Sequence, residues 1–311
     1  MDRKKYNLII IGAGPAGLTA SIYASRFGVN HLIIGSLIDS RLAEAYEVGN
    51  FPTEKEIKGE ELVKKMESRV KDFGAEIKSD KVSRVDKVND DFLIKTIGGE
   101  EYSAKALLFA IGAERKKMNV SGEEKFLGKG VSYCATCDGK FFTDKIVAVI
   151  GGNSATVTTA DYLSDLAKKV YLIHSEDDLK KADKVWKERI KKNPKVELVL
   201  GNKIKELKGE EFLESIVLEK DFQGKNELKL DGIFVEMGIV PNLEIISELK
   251  VETDENGFVK IKSDGSTSVK GLWAAGDITN GSNNFRQIIT ACAEGATAAA
   301  SIQAYLKQLS N

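Results

Sequence analysis

Apolar residues in this chain fall in short unbroken runs, separated by stretches with apolar positions three and four apart. Residues 7–11 (Asn-Leu-Ile-Ile-Ile) form the first run, and its β-branched content predicts a buried parallel strand. Gly12-Ala-Gly14-Pro15-Ala16-Gly17 follows, then helical spacing over 18–27, with Gly28 placed to end the helix. Residues 31–34 predict the next strand, which completes a βαβ unit opening on G-x-G-x-x-G. A helix is expected over 59–73. Short alternating strands at 75–85, 92–96 and 101–104 predict an antiparallel meander. Residues 106–110 predict a further buried strand, ended by Ile111-Gly112-Ala113.

A second βαβ unit starts at Lys145. Its strand is 146–150, its turn Gly151-Gly152-Asn153-Ser154, its helix 155–167 and its second strand 170–174. More strands fit 196–200, 214–219 and 232–236, and the chain is expected to cross back around 241–249. A strand at 271–275 leads into Gly276-Asp277, and an Ala-rich helix spans 285–309. Long β-α alternation with two glycine turns predicts an α/β fold with two doubly wound, Rossmann-like nucleotide-binding domains.

Composition narrows the class. At 311 residues, two domains are the better prior than one core. The 42% apolar and 30% charged content is that of a globular protein, and a net charge of -1 provides no field for nucleic acid. No apolar run approaches the ~20 residues of a membrane span. The N-terminus carries no apolar leader ahead of the first strand. Three cysteines are too few for a disulfide scaffold, so a cytoplasmic location is expected. The Lys- and Glu-rich charge set is compatible with heat adaptation.

Two of those cysteines form Cys134-Ala-Thr-Cys137-Asp138. That spacing lets both sulfurs join in a disulfide that two electrons reopen. Asp138 can give a proton to a leaving thiolate or take one back. A zinc site would need two more ligands, and only Cys292, His31 and His174 are available in Cys or His form; no metal is expected. Cys292 reads as a core residue.

In the first turn, Gly12 permits the bend, Gly14 lets the backbone approach a pyrophosphate and Gly17 lets helix and strand pack. The helix start offers N–H groups to the phosphates. The second turn has Gly151 and Gly152, but Asn153 and Thr156 stand where Gly and Gly or Ala are usual. The strand after it ends in His174-Ser175-Glu176-Asp177-Asp178. A 2′-phosphate needs a cation there, whereas Glu176 can accept from a ribose 2′-OH. NADH, NADPH and neither all stay open. Asp277, at a strand end, can bind a ribityl hydroxyl or cap the next helix. Arg286-Gln287 can face a ring system or solvent.

Throughout its length the chain resembles the low-molecular-weight thioredoxin reductases, FAD-dependent pyridine nucleotide-disulfide oxidoreductases of class II. The motifs that carry the resemblance are Gly12-Ala-Gly-Pro-Ala-Gly17, Glu47-Val-Gly-Asn-Phe-Pro52, Gly130-Val-Ser-Tyr-Cys-Ala-Thr-Cys-Asp138, Gly276-Asp277 and Phe285-Arg-Gln-Ile288. It implies an FAD domain made of 1–116 and 247–311, a pyridine-nucleotide-type domain at 117–246 inserted into it, and a homodimer. FAD would lie along Gly12, Gly14, Pro15, Ala16 and Gly17, along Gly35, Ser36, Arg41 and Leu42, and against Asn50, Asp277, Arg286 and Gln287. Cys137 would face the flavin, Cys134 would attack the disulfide of thioredoxin or a similar small redoxin, and Asp138 would supply the proton. The domains would rotate to bring the dithiol to flavin and partner in turn.

Two departures bear on the electron donor. The family's Gly-Gly-Gln-Leu appears as Asp39-Ser40-Arg41-Leu42. Its His-Arg-Arg-x-x-x-Arg appears as His174-Ser175-Glu176-Asp177-Asp178-Leu179-Lys180, with only Lys180 still cationic. The residues at which a nicotinamide nucleotide would lie are Gly151, Gly152, Asn153, Ser154, His174, Glu176 and Lys180. Met237-Gly-Ile-Val-Pro-Asn242, by contrast, follows the ordinary pattern. The expected activity is a thioredoxin-disulfide reductase. The alternatives are a related flavoprotein fed by ferredoxin or a reduced deazaflavin, and a flavin redox sensor without turnover.

Overall fold

The computed structural model describes every residue except Met1, Asp2, Glu44, Tyr46, Glu47 and Asn311, and every side chain among these except that of Ser310. Glu47 of the Glu-Val-Gly-Asn-Phe-Pro motif therefore lies outside the described residues. The chain divides into two compact units, Met1–Glu114 with Val240–Asn311, and Arg115–Ile239. The first segment holds β1 (Lys4–Ile11), α1 (Pro15–Arg26), β2 (His31–Ile34), α2 (Gly59–Asp72), β3 (Glu76–Lys78), β4 (Val82–Val88), β5 (Asp91–Thr96) and β6 (Glu101–Phe109). The second unit holds β7 (Val131–Ser132), α3 (Ala135–Asp138), β8 (Ile146–Ile150), α4 (Ser154–Leu166), β9 (Lys169–Ile173), α5 (Lys184–Lys192) and β10 (Val196–Val199). It continues through β11 (Ile204–Lys208), β12 (Ser215–Phe222), β13 (Lys225–Lys229) and β14 (Gly232–Val235). The last segment contributes β15 (Leu272–Ala274) and α6 (Ile288–Ser310) to the first unit.

In the first unit the sheet order is β3-β2-β1-β6-β5-β4, with β15 also on β6. The β1, β2, β3, β6 and β15 pairings are parallel, with Ile11 level with Ile34 and Phe109. Both faces are covered, one of them by helices, so β1 is apolar on both sides rather than alternating. Leu8 and Ile10 pack with Leu18 of α1 and Ala298 and Ile302 of α6. Ile9 and Ile11 pack on the other side with Phe92, Leu107 and Phe109. Burial of each such side chain stabilises the unit by about 1.5–3 kcal/mol. The second unit repeats the plan, with parallel order β10-β9-β8-β14-β7 and a separate antiparallel sheet β11-β12-β13. These are the doubly wound α/β sheets expected from the sequence.

Several elements differ from expectation. Residues 75–85 form two strands, because the Asp80 carboxylate accepts from Lys81 N (2.7 Å) and Gly98 N (3.3 Å) and turns the chain. β3 then pairs with β2 in parallel, so only β4, β5 and β6 form the meander. Residues 101–104 and 106–109 belong to one strand, β6, which pairs β5 through its first half and β15 through its second, with Ala110 just past its end. The exposed Lys105 between them is one outward residue in that strand. α6 starts at Ile288 because Ser282, Asn283 and Asn284 all take left-handed φ values of 50–60°. α5, β11 and β13 are absent from the sequence reading, since Lys and Glu dominate them. The return to the first unit falls at Val240 rather than 247, because Ile246 of the turn Glu244–Leu249 is buried beneath that unit's sheet.

Candidate active site

The first glycine turn is shaped by contacts that only some of its glycines need. Gly12 has φ +116°, and a Cβ there would lie 2.3 Å from Ala110 O. A Cβ on Gly17 would lie 1.9 Å from Gly12 O, which explains the close helix–strand approach. Gly14 is different. Its φ of -86° and ψ of -174° suit any residue, and a Cβ there would meet nothing within 4 Å. No internal contact requires this glycine, and its bare backbone leaves room for a ligand to approach closely. Gly14 caps α1 without any side-chain hydrogen bond, so the helix start keeps its amide donors for an anion.

Residues far apart in sequence converge here. Gly35, at the end of β2, lies against Ala13 N. Gly276 lies against Ala16, and the half-buried Cys292 thiol is 3.9 Å from Pro15 O. Burial raises that thiol above its ordinary range and keeps it protonated. Arg41 Nη1 pairs with Asp277 Oδ2 at 2.5 Å, while Arg41 Nε is buried without a hydrogen-bond partner. Asn50 Nδ2 donates to Gln287 Oε1 (2.9 Å). Arg286 donates to Asp277 O (3.4 Å) and Thr279 O (3.3 Å), and its guanidinium lies 4.1 Å from the centre of the Phe258 ring. Leu42 is buried in the core behind them, and Ser36 Oγ accepts from Asp39 N (3.4 Å). The open Gly14 cradle and the orphaned Arg41 Nε fit a diphosphate-bearing cofactor.

Glu294 escaped the sequence reading. Its carboxylate accepts from Gly276 N (2.8 Å), Thr279 Oγ1 (2.9 Å) and Ser282 Oγ (2.5 Å), tying the Gly-Asp turn to α6. A lone acid in an otherwise Ala-rich helix was the available signal.

In the second unit, Cys134 and Cys137 are joined by a disulfide, with Cα atoms 5.2 Å apart. Cys134 precedes the single turn α3, and Cys137 N and Asp138 N both donate to Cys134 O (3.2 and 3.0 Å). Ser132, two residues before the pair, donates to Asp138 Oδ2 (2.6 Å) and accepts from Cys134 N (3.0 Å). Asp138 Oδ1 is buried with no hydrogen-bond partner. Burial raises the Asp138 carboxyl above the usual range, against the opposing pull of the Ser132 hydrogen bond and the Arg115 charge. The arrangement is a reversible disulfide with a carboxyl group held partly desolvated beside it.

At the second glycine turn the structure places Gly151, Gly152, Asn153 and Ser154 at the start of α4, with His174 against Gly152. Glu176 and Lys180 lie on the exposed segment beyond β9. Here Asn153, unlike Gly14, caps its helix with its own side chain.

Comparison with known proteins follows the same lines. The family described as pyridine nucleotide-disulphide oxidoreductase matches residues 6–295. A thioredoxin reductase of Peptoclostridium acidaminophilum is 38% identical, over 97% of this chain and 97% of its own. A thioredoxin reductase of Bacillus subtilis is 38% identical, over 99% of this chain and 97% of its own. The crystal structure of thioredoxin reductase from Streptococcus pyogenes superimposes with a TM-score of 0.84 at 32% identity, covering 99% of this chain and 100% of that one. Matches of this length and identity, on a chain whose one disulfide sits ahead of its second glycine turn, place it in the thioredoxin reductase family of the pyridine nucleotide-disulphide oxidoreductases.

Proposed function

We propose that this chain is an FAD-dependent thioredoxin-disulfide reductase that works as a homodimer in a reducing compartment. The observation that carries the reading is the Cys134–Cys137 disulfide with the half-buried Asp138 beside it, in a chain of this family. The first unit would hold FAD through Gly12, Gly14, Gly17, Gly35, Arg41, Asn50, Asp277, Arg286 and Gln287. When bound, reduced flavin would supply the two electrons needed to open the Cys134–Cys137 disulfide. The Cys134 thiolate then attacks one sulfur of the partner's disulfide; that S–S bond breaks and a mixed disulfide forms. The Cys137 thiolate attacks the Cys134 sulfur, the mixed disulfide breaks, and the Cys134–Cys137 bond re-forms as the partner leaves with both its thiols. Asp138 protonates a departing thiolate. In the structure, no helix of the described residues is long and apolar enough to cross a membrane.

The test uses FAD-loaded protein reduced stoichiometrically with dithionite under argon. It is expected to convert one thioredoxin disulfide per dithiol to free thiols, counted by thiol titration. A protein that takes up no FAD, or that holds reduced flavin yet leaves thioredoxin oxidised, sinks the reading. The cradle has its own check. Gly14→Val adds a side chain into open space, so the apo-protein is expected to unfold at the wild-type midpoint. Its dissociation constant for FAD, measured by fluorescence, is expected to rise by about tenfold or more. Unchanged affinity would remove the pyrophosphate from this turn.

A further inference from the structure

We infer that the second glycine turn is closed to a dinucleotide by the chain's own side chains, so that the second unit takes neither NADH nor NADPH there. The inference rests on the reading of that unit as a pyridine-nucleotide-type domain. A dinucleotide pyrophosphate needs a helix start with free amide donors and a backbone it can touch. The first turn has both; at the second, the Asn153 and Thr156 amides are taken by side chains and Gly152 is covered by the His174 ring.

The two departures from the glycine motif, Asn153 and Thr156, are one device. Asn153 Oδ1 accepts from Thr156 N (3.0 Å), while the Thr156 hydroxyl accepts from Asn153 N (3.4 Å). That hydroxyl donates either to Asn153 Oδ1 (3.1 Å) or to Glu236 O (3.1 Å). This reciprocal capping box satisfies donors that a phosphate would otherwise take. Thr156 is fully buried, and its hydroxyl lies where a Cβ on Gly151 would fall, 2.3 Å away. Thr156 is locked into the packing, and its hydrogen bonds hold the half-buried Asn153 in place.

The segment after β9 completes the closure. Asn153 forms a β-bridge with Lys181, and Ser154 Oγ donates to Asp183 Oδ2 (2.9 Å) while accepting from Asp183 N (3.0 Å). A carboxylate is thus held beside the positive end of α4, a helix of 13 residues, through the Ser154 hydroxyl. The His174 ring lies on Gly152, so close that a Cβ there would be 2.1 Å from its Cε1. The imidazole covers backbone that a diphosphate would have to touch. Residues 174–183 also carry four carboxylates, at Glu176, Asp177, Asp178 and Asp183, against two ammonium groups at Lys180 and Lys181. An incoming diphosphate is repelled on balance.

The experiment is calorimetric titration of FAD-loaded protein with NADH and with NADPH, under argon and up to about 1 mM. Wild type is expected to show no saturable binding; micromolar binding of either nucleotide overturns the inference. The double variant N153G/T156A restores a glycine and an alanine to the turn. It is expected to bind at least one nucleotide about tenfold or more tighter than wild type. An equal, weak response from the double variant overturns the role given to the capping box. D183A, an exposed position, is read in the same way, with circular dichroism and bound FAD confirming the fold of each sample. Dithionite-reduced wild type is assayed for thioredoxin reduction in the same preparation. Failure there strikes the proposed function and leaves the titration to judge the turn.

Discussion

Cys134→Ser and Cys137→Ser are each expected to lower steady-state thioredoxin reduction by about 1,000-fold or more, with FAD still bound. Neither change enlarges a side chain, and both cysteines are half-buried in a short turn held by Cys134 O and Ser132. The fold should therefore survive in both. The chemistry should not, because a hydroxyl at either position cannot join a disulfide. The variants should fail differently. C137S keeps the attacking sulfur but has nothing to release the mixed disulfide, so a covalent adduct with thioredoxin should accumulate on a non-reducing gel. C134S should form no adduct. Adduct in C134S but not in C137S would reverse the roles given to the two sulfurs. Activity within about tenfold of wild type in either variant would remove the dithiol from the pathway.

Asp138→Asn is expected to cost about 10²–10⁴-fold, the usual range for a positioned proton donor. Its pH profile is the more telling readout. Burial raises the Asp138 carboxyl, so the protonated form persists above the range of an ordinary carboxylic acid. As an acid it works while protonated. Turnover should fall as pH rises through that raised value, and D138N should lack this limb. An identical limb in D138N would assign the proton to another group. Stability moves with the same sign. The folded pKa lies above the unfolded one, so the contribution is complete below the ordinary carboxylate range. It is lost as pH rises through the folded value. D138N should therefore lose less stability than wild type over that window. The effect is reduced by the partial exposure of the site.

Local signals were legible wherever a local cause produced them. β1 and β8 read directly because strands buried on both faces leave continuous apolar runs. The Cys134-x-x-Cys137 pair read directly because disulfide reach is set by spacing along a single turn. α5, β11 and β13 did not read, since their alternation is carried by Lys and Glu and their apolar face is narrow. Glu294 and Ser132 were missed for another reason. Their importance lies in what they hold, the Gly276 turn and the Asp138 carboxyl, and neither partner is a fixed number of residues away by any rule.

Residue spacing alone determined the two βαβ units, the dithiol and the resemblance to the family, because each depends on contacts within about one turn or one strand. Two matters waited for the tertiary structure. One is the convergence of Arg41 on Asp277 and of Asn50 on Gln287, which requires the parallel sheet to bring both ends of the chain to one edge. The other is the meaning of Asn153 and Thr156. In the sequence they are two defects in a glycine motif. In the fold they are partners, and two amide donors that a phosphate would need, those of Asn153 and Thr156, are taken by the chain's own hydrogen bonds.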